Sequence, residues 1–341
     1  MLGPTPAVQI VLGARYVPCM HKIKGIQGRS EPINWFCPQT LNRELNTCTL
    51  TELCGFSGSV GNPAYDGNLE AAPAPNQWYR FIIPMFLHAG VIHIAFNMLL
   101  QFTLGREMEL AIGSVRFLLV YVASGIFGFV LGGNLASEGI ASTGASGSLF
   151  GVLALVLLDL LYSWKERRSP GKDLAFIFLD IAISFVLGLL PGLDNFSHIG
   201  GFLMGLVLGI CILHSPNALR KRIQVDEPPY TPVAAGYKAS GPGSYAGVMG
   251  FVKSPVGFFK ERKPAWWAWW LIRVGCLVAV LVVFIVLMNN FYNINAGKCS
   301  WCKYLSCIVS FLPSLLSLVE PSFRVLIVVN RTTKTGAASG S

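Results

Sequence analysis

The chain has 341 residues, 53% hydrophobic and only 13% charged, well below the roughly 25% charge content of soluble domains. A mean hydropathy of +0.55 excludes an ordinary soluble domain and puts the chain in the membrane class. The net charge of +9 does not indicate a nucleic-acid partner, because the basic residues fall in loops between apolar runs, where membrane topology requires them.

Residues 1–77 hold no candidate span: the apolar run Val8–Ala14 is too short to cross a bilayer, and no basic-apolar-small signal peptide is visible. Four cysteines lie there (Cys19, Cys37, Cys48 and Cys54) without any C-x-x-C pair, so two disulfides in an oxidising compartment are expected rather than a zinc site. Apolar runs then predict spans at about 82–104, 115–135, 146–164, 174–191, 198–214 and 268–289. Cys211 and Cys276 lie within two of them.

The loop at 162–173 carries Lys165, Arg167, Arg168 and Lys172, and the segment after the fifth span opens with Arg220-Lys221-Arg222. The turns at 136–143 and 192–197 each carry one acid, Glu138 and Asp194, and no base. The basic loops are therefore expected in the cytosol, and 1–77 with its cysteines on the lumenal side. The expected organisation is a first-loop region at 1–77, a five-span core at 78–216 and a Pro/Gly/Ser-rich basic linker at 217–265, followed by one more span at 266–290 and a lumenal tail at 291–341. That tail holds Cys299-Ser-Trp-Cys302, read as a disulfide or free thiols before a metal site, Cys307, a broken apolar stretch at 305–329 and a possible glycosylation acceptor at Asn330.

Ser146 stands between Gly144 and Gly147 at the start of the third span. Glycines permit close backbone approach, and a helix N-terminus favours developing negative charge, so a serine there suits attack on a carbonyl. The plainer alternative is a helix cap beside a Gly147-x-x-x-Gly151 packing motif. His198 weighs against that alternative, because an ionisable side chain within a span is costly and points to function. Gly201 and Gly205 share its helical face with Gly209 beyond them, which predicts contact with the Gly147–Gly151 face and brings His198 towards Ser146. In the first span, His93 and Asn97 are four apart and share a face, with His88 just before them. Histidine and asparagine are common side-chain donors to an oxyanion, although interhelical polar contacts would also account for them.

Together, Gln77-Trp-Tyr-Arg80, His88-x4-His93-x3-Asn97, Glu109-x3-Gly113, Gly144-Ala-Ser-Gly147 and His198-x2-Gly201-x3-Gly205 resemble the rhomboid intramembrane serine proteases over about 77–215. The resemblance implies an all-α polytopic membrane protein, a rhomboid-like helix bundle with a polar cavity open to the lumen. The 217–290 region is similar to the linker and seventh helix of the eukaryotic secretory-pathway type, which implies a Golgi, endosomal or plasma-membrane location. It implies Ser146 as nucleophile and His198 as general base, without an acid, and an oxyanion held by the Ser146 N–H, His93 and Asn97. Phe150 would stack near His198. Trp78 and Arg80 would sit at the interface in the first loop, Glu109 would brace that loop's cytosolic neighbour or the helix end, and His88 would support the site. Substrates would be single-span membrane proteins cut near the lumenal end of the span; the partners are these and the lipid bilayer, with no nucleic acid, metal or cofactor. Family members begin with a span before the first loop, whereas these residues start inside that loop, so a truncated gene model that folds or cleaves poorly is one expectation. The rivals are an inactive rhomboid-like protein that sorts membrane spans, and a transporter, for which repeats or midplane charge pairs would be expected.

Overall fold

In the computed structural model of the chain, residues 3–29, 33–37, 47–58, 60, 73–188, 194–216, 219, 263–293 and 302 are described. Most of the 217–265 linker, the 305–329 stretch, Cys299, Cys307 and Asn330 lie outside the described residues.

The bundle is built on three helices: α6 (Ser114–Leu135), α7 (Ser146–Tyr162) and α9 (Asn195–Ile212). α6, α9 and α10 (Pro264–Tyr292) are long and apolar enough to cross a membrane, and α7 is a shorter apolar helix. At 1.5 Å per residue the 22 residues of α6 cover about 33 Å, matching a hydrocarbon core of about 30 Å. α7 is the central helix, with Ala154 and Leu155 fully buried. α8 (Pro170–Leu187) opens with a proline in its first turn, where the missing N–H costs nothing, and packs Ile177 against Leu153 and Leu160 of α7. α10 is fixed at both ends. Near its start, Arg273 donates to the carbonyls of Ile210 and Leu213 at the C-terminus of α9. Near its end, Asn290 donates to Asn134 of α6 and Phe291 packs on Phe81 and His21.

The first span departs from the expected 82–104. The helix starts at α4 (Val91–Leu100), passes through a π-helical turn at Gln101–Gly105 and continues as α5 (Arg106–Ile112). The apolar residues before it form two 3₁₀ turns, Trp78–Phe81 and Ile83–Phe86. Pro84 cannot donate to a helical ladder there. At the other end, Arg106, Glu107 and Glu109 end the apolar run without ending the helix. The remaining spans shift by at most four residues, as at the starts Pro170 rather than 174 and Pro264 rather than 268.

The described residues among 3–58, in the region expected as a loop held by disulfides, form a packed cap on the end of the bundle that carries Ser146 and His198. Its helices are α1 (Pro6–Leu12), α2 (Lys24–Gln27) and α3 (Leu50–Cys54), with a short antiparallel pair, β1 (Trp35–Phe36) and β2 (Thr47–Cys48). Thr49 and Glu52 close a capping box at the start of α3. Disulfides join Cys19 to Cys54 and Cys37 to Cys48, and Cys302 is disulfide-bonded as well. Tyr16, Val17, Met20, Trp35 and Leu53 share one core with Phe129 and Val130 of α6 and Phe291 of α10.

Candidate active site

Ser146 is the first residue of α7, so its own N–H and those of the next residues have no partner within the helix. The chain enters α7 through Gly144, whose φ of 128° suits glycine alone. A Cβ there would lie 2.7 Å from Cε1 and 2.8 Å from Nε2 of His93. The Gly144 N–H donates to the Pro84 carbonyl at 2.9 Å, tying this turn to the segment that precedes α4.

His198 lies in the first turns of α9, whose N-cap is Asp194: the carboxylate accepts from the Phe196 N–H at 3.0 Å and the Ser197 hydroxyl at 2.6 Å. α9 crosses α7 in direct backbone contact, since a Cβ on Gly201 would strike the Gly147 carbonyl and one on Gly205 the Gly151 carbonyl. That approach brings His198 Nε2 to 2.8 Å from Ser146 Oγ. The histidine is buried and the serine half-buried. The ring of Phe150, one turn along α7, stacks on His198 with centroids 4.5 Å apart and planes 9° apart. His198 Nδ1 is buried without a hydrogen-bond partner. Among the described residues, no carboxylate bonds the histidine.

On α4, His93 Nδ1 accepts the Ala89 N–H at 3.2 Å, which leaves its proton on Nε2, the atom facing Gly144. Asn97 Nδ2 donates to the His93 carbonyl at 2.8 Å, while its Oδ1 has no partner. His88 packs edge-on against His93, centroids 5.3 Å apart. Among the described residues no group of His, Cys, Asp and Glu could hold a metal ion.

Trp78 is exposed, as an interfacial residue would be. Arg80 is buried within the protein, donating to the carbonyls of Ile10 and Ala14 and to Gln77 Oε1 at 2.6–2.8 Å. Three acceptors replace its water, and burial pulls its pKa down to about 10. Glu109 accepts from Ser114 across the α5–α6 turn at 2.7 Å, at the far end of the bundle from Ser146.

The sequence reading did not find Arg15. Its side chain bonds Asp194 at 2.9 Å with both groups buried, and its backbone pairs with Ser142 in both directions, at 2.9 and 3.0 Å. The only sequence signal is a lone arginine directly after the apolar run Val8–Ala14.

Residues 75–215 match the Rhomboid domain. The chain is 53% identical to Rhomboid-type serine protease 2 of Emericella nidulans over 90% of this chain and 62% of that protein. It is 32% identical to RHOMBOID-like protein 6, mitochondrial, of Arabidopsis thaliana over 68% of this chain and 67% of the relative. The chain belongs to the rhomboid family. As a rhomboid it is a multi-pass membrane protein of a serine protease family. It spans less than two thirds of the length of the Emericella relative. The family also includes Inactive rhomboid protein 1 of Danio rerio, 36% identical over 69% of this chain and 22% of that protein.

Proposed function

We propose that this chain is an intramembrane serine endopeptidase that cuts single-span membrane proteins near the lumenal end of the span. The observation that carries the reading is the 2.8 Å contact between Ser146 Oγ and His198 Nε2. A neutral His198 accepts the Ser146 proton as Oγ attacks the scissile carbonyl. The resulting oxyanion lies within reach of the Ser146 N–H, the His93 Nε2–H and Asn97. The imidazolium then gives its proton to the leaving nitrogen as the C–N bond breaks and the carbonyl reforms, which frees the amine and leaves an acyl-serine. Water, deprotonated by His198, releases the acid and restores the serine. Phe150 and the missing Nδ1 partner support a pair without a third member, held by stacking rather than by a carboxylate.

The cap's two disulfides and the basic residues of the 162–173 loop support an orientation with the Ser146 end in the lumen or outside the cell, on the secretory pathway. A second reading, an inactive span-binding protein, is favoured by the Danio relative's name; the presence of both Ser146 and His198 speaks against it.

A fluorophosphonate probe and a model single-span substrate separate the two. The full chain in membranes should label and cleave. Ser146→Ala and His198→Ala should each abolish cleavage, and the double variant should be no worse than either single one. Near-normal cleavage by Ser146→Ala would refute the nucleophile, and a parent that neither labels nor cleaves would favour the inactive reading.

A further inference from the structure

We propose that Arg15 is a positioning residue for the Ser146–His198 pair, holding both members at once from the cap. The inference rests on the dyad reading above. Ser142, paired with the Arg15 backbone, lies four residues before Ser146; Asp194, paired with the Arg15 guanidinium, lies four residues before His198. One residue therefore fixes the approach to α7 through its main chain and the start of α9 through its side chain.

The ion pair is an expensive way to hold a fold. Two of the three Arg15 nitrogens, Nε and Nη1, are buried without a hydrogen-bond partner, and apolar groups of similar shape stabilise as well as most buried pairs. Its use is positional and electrostatic. Asp194 caps α9 and takes the Ser197 hydroxyl, so moving it would turn the first helical turn and, with it, His198. Arg15 also cancels the Asp194 charge next to a histidine that must become an imidazolium during the reaction. Among the described residues, the charged or titratable groups acting on His198 are Asp194 from its own helix start, His93 from α4 with His88 behind it, and Arg15 through Asp194. α7 brings the Ser146 hydroxyl and the Phe150 ring.

The two charges should act in opposite directions, which a merely structural role would not produce. Arg15→Met leaves the Asp194 carboxylate uncompensated, which favours the imidazolium and moves the acid limb of activity to higher pH. Asp194→Asn keeps a good helix cap but leaves Arg15 uncompensated, and moves the limb to lower pH. Each shift should be about one pH unit, or about tenfold in rate on the acid side.

The test measures the rate of fluorophosphonate labelling against pH on the full chain in membranes, normalised to folded protein. Ser146→Ala serves as the blank, and no substrate need be known. Arg15→Lys, which keeps the charge, should leave the limb at the parent position while lowering the plateau. Opposite shifts support the proposal; if Arg15→Met does not fold, Arg15→Lys decides, a lowered plateau per folded molecule with an unmoved limb supporting it and a parent-like plateau overturning it. Parent-like limbs in both variants, or loss in proportion to folded protein with no shift, would overturn it and leave the dyad standing. A parent whose labelling survives Ser146→Ala would sink the dyad and this inference together.

Discussion

Phe150 and His198 stack nearly in parallel, 9° between planes and 4.5 Å between centroids. The imidazole has no hydrogen bond at Nδ1, so this face and the Ser146 contact are what orient it. Aromatic pairs are worth about 0.5–1.5 kcal/mol beyond burial. Phe150→Leu keeps an apolar side chain and loses the flat surface. We expect its cleavage rate per folded molecule to fall about 2–10-fold, with the melting temperature little changed. An unchanged rate would mean that the stack does not orient the histidine.

Asn97→Ala should slow cleavage by roughly 10²–10³-fold, the usual loss for one oxyanion donor. Asn97 also holds the His93 carbonyl, so a purely structural role is the competing account. The two separate on the rate per folded molecule. If that rate is normal and only the folded fraction falls, Asn97 is a packing residue.

The same substitution at two glycines should have opposite signs. Gly201→Ala drives a methyl into the Gly147 carbonyl, and such overpacking costs about 1–3 kcal/mol. Because the contact also sets the Ser146–His198 distance, cleavage should fall with stability. Gly275→Ala on α10 meets nothing within 4 Å and should stabilise the helix by roughly 0.5–1 kcal/mol. Thermal unfolding in detergent of the two variants beside the parent checks both signs, and equal effects would contradict the backbone-contact account.

Loss of the Cys19–Cys54 bridge should matter more than loss of Cys37–Cys48. Their sequence separations are 35 and 11, for which chain-closure entropy gives about 4 and about 3 kcal/mol. The longer bridge also ties the Arg15-bearing end of the cap to α3. Paired serine variants should show this order in melting temperature, and reductant should erase it. In intact cells the four cysteines should resist maleimide until reductant is added; ready labelling from the cytosolic side would reverse the proposed orientation.

The Ser146–His198 contact and its glycines are legible in the sequence because they obey helical spacing within apolar runs. Gly201 and Gly205 fall on the face of His198, and the backbone contact with Gly147 and Gly151 follows from that periodicity. The stretch before α4 is not legible, since apolarity cannot tell a helix from two half-buried 3₁₀ turns; Pro84 was the available cue. The burial of Arg80 is not legible either, because two of its three acceptors are carbonyls some seventy residues earlier in the chain. Asp194 has a topological meaning in sequence, as the lone acid of a turn. Its partner is 179 residues away, and no local pattern joins positions so far apart.

That separation has a consequence for the order of biosynthesis. A ribosome adds about 5–20 residues per second, so Arg15 waits roughly 10–40 s before Asp194 is made. During that interval the cap can fold and oxidise, but its guanidinium has no counter-charge and the Ser142 strand has not yet met a finished α9. His198 follows Asp194 by only four residues. His198, the proposed general base, therefore reaches its place at about the moment the clamp can close, and on that reading a nascent chain cannot hold the Ser146–His198 contact before α9 is in place.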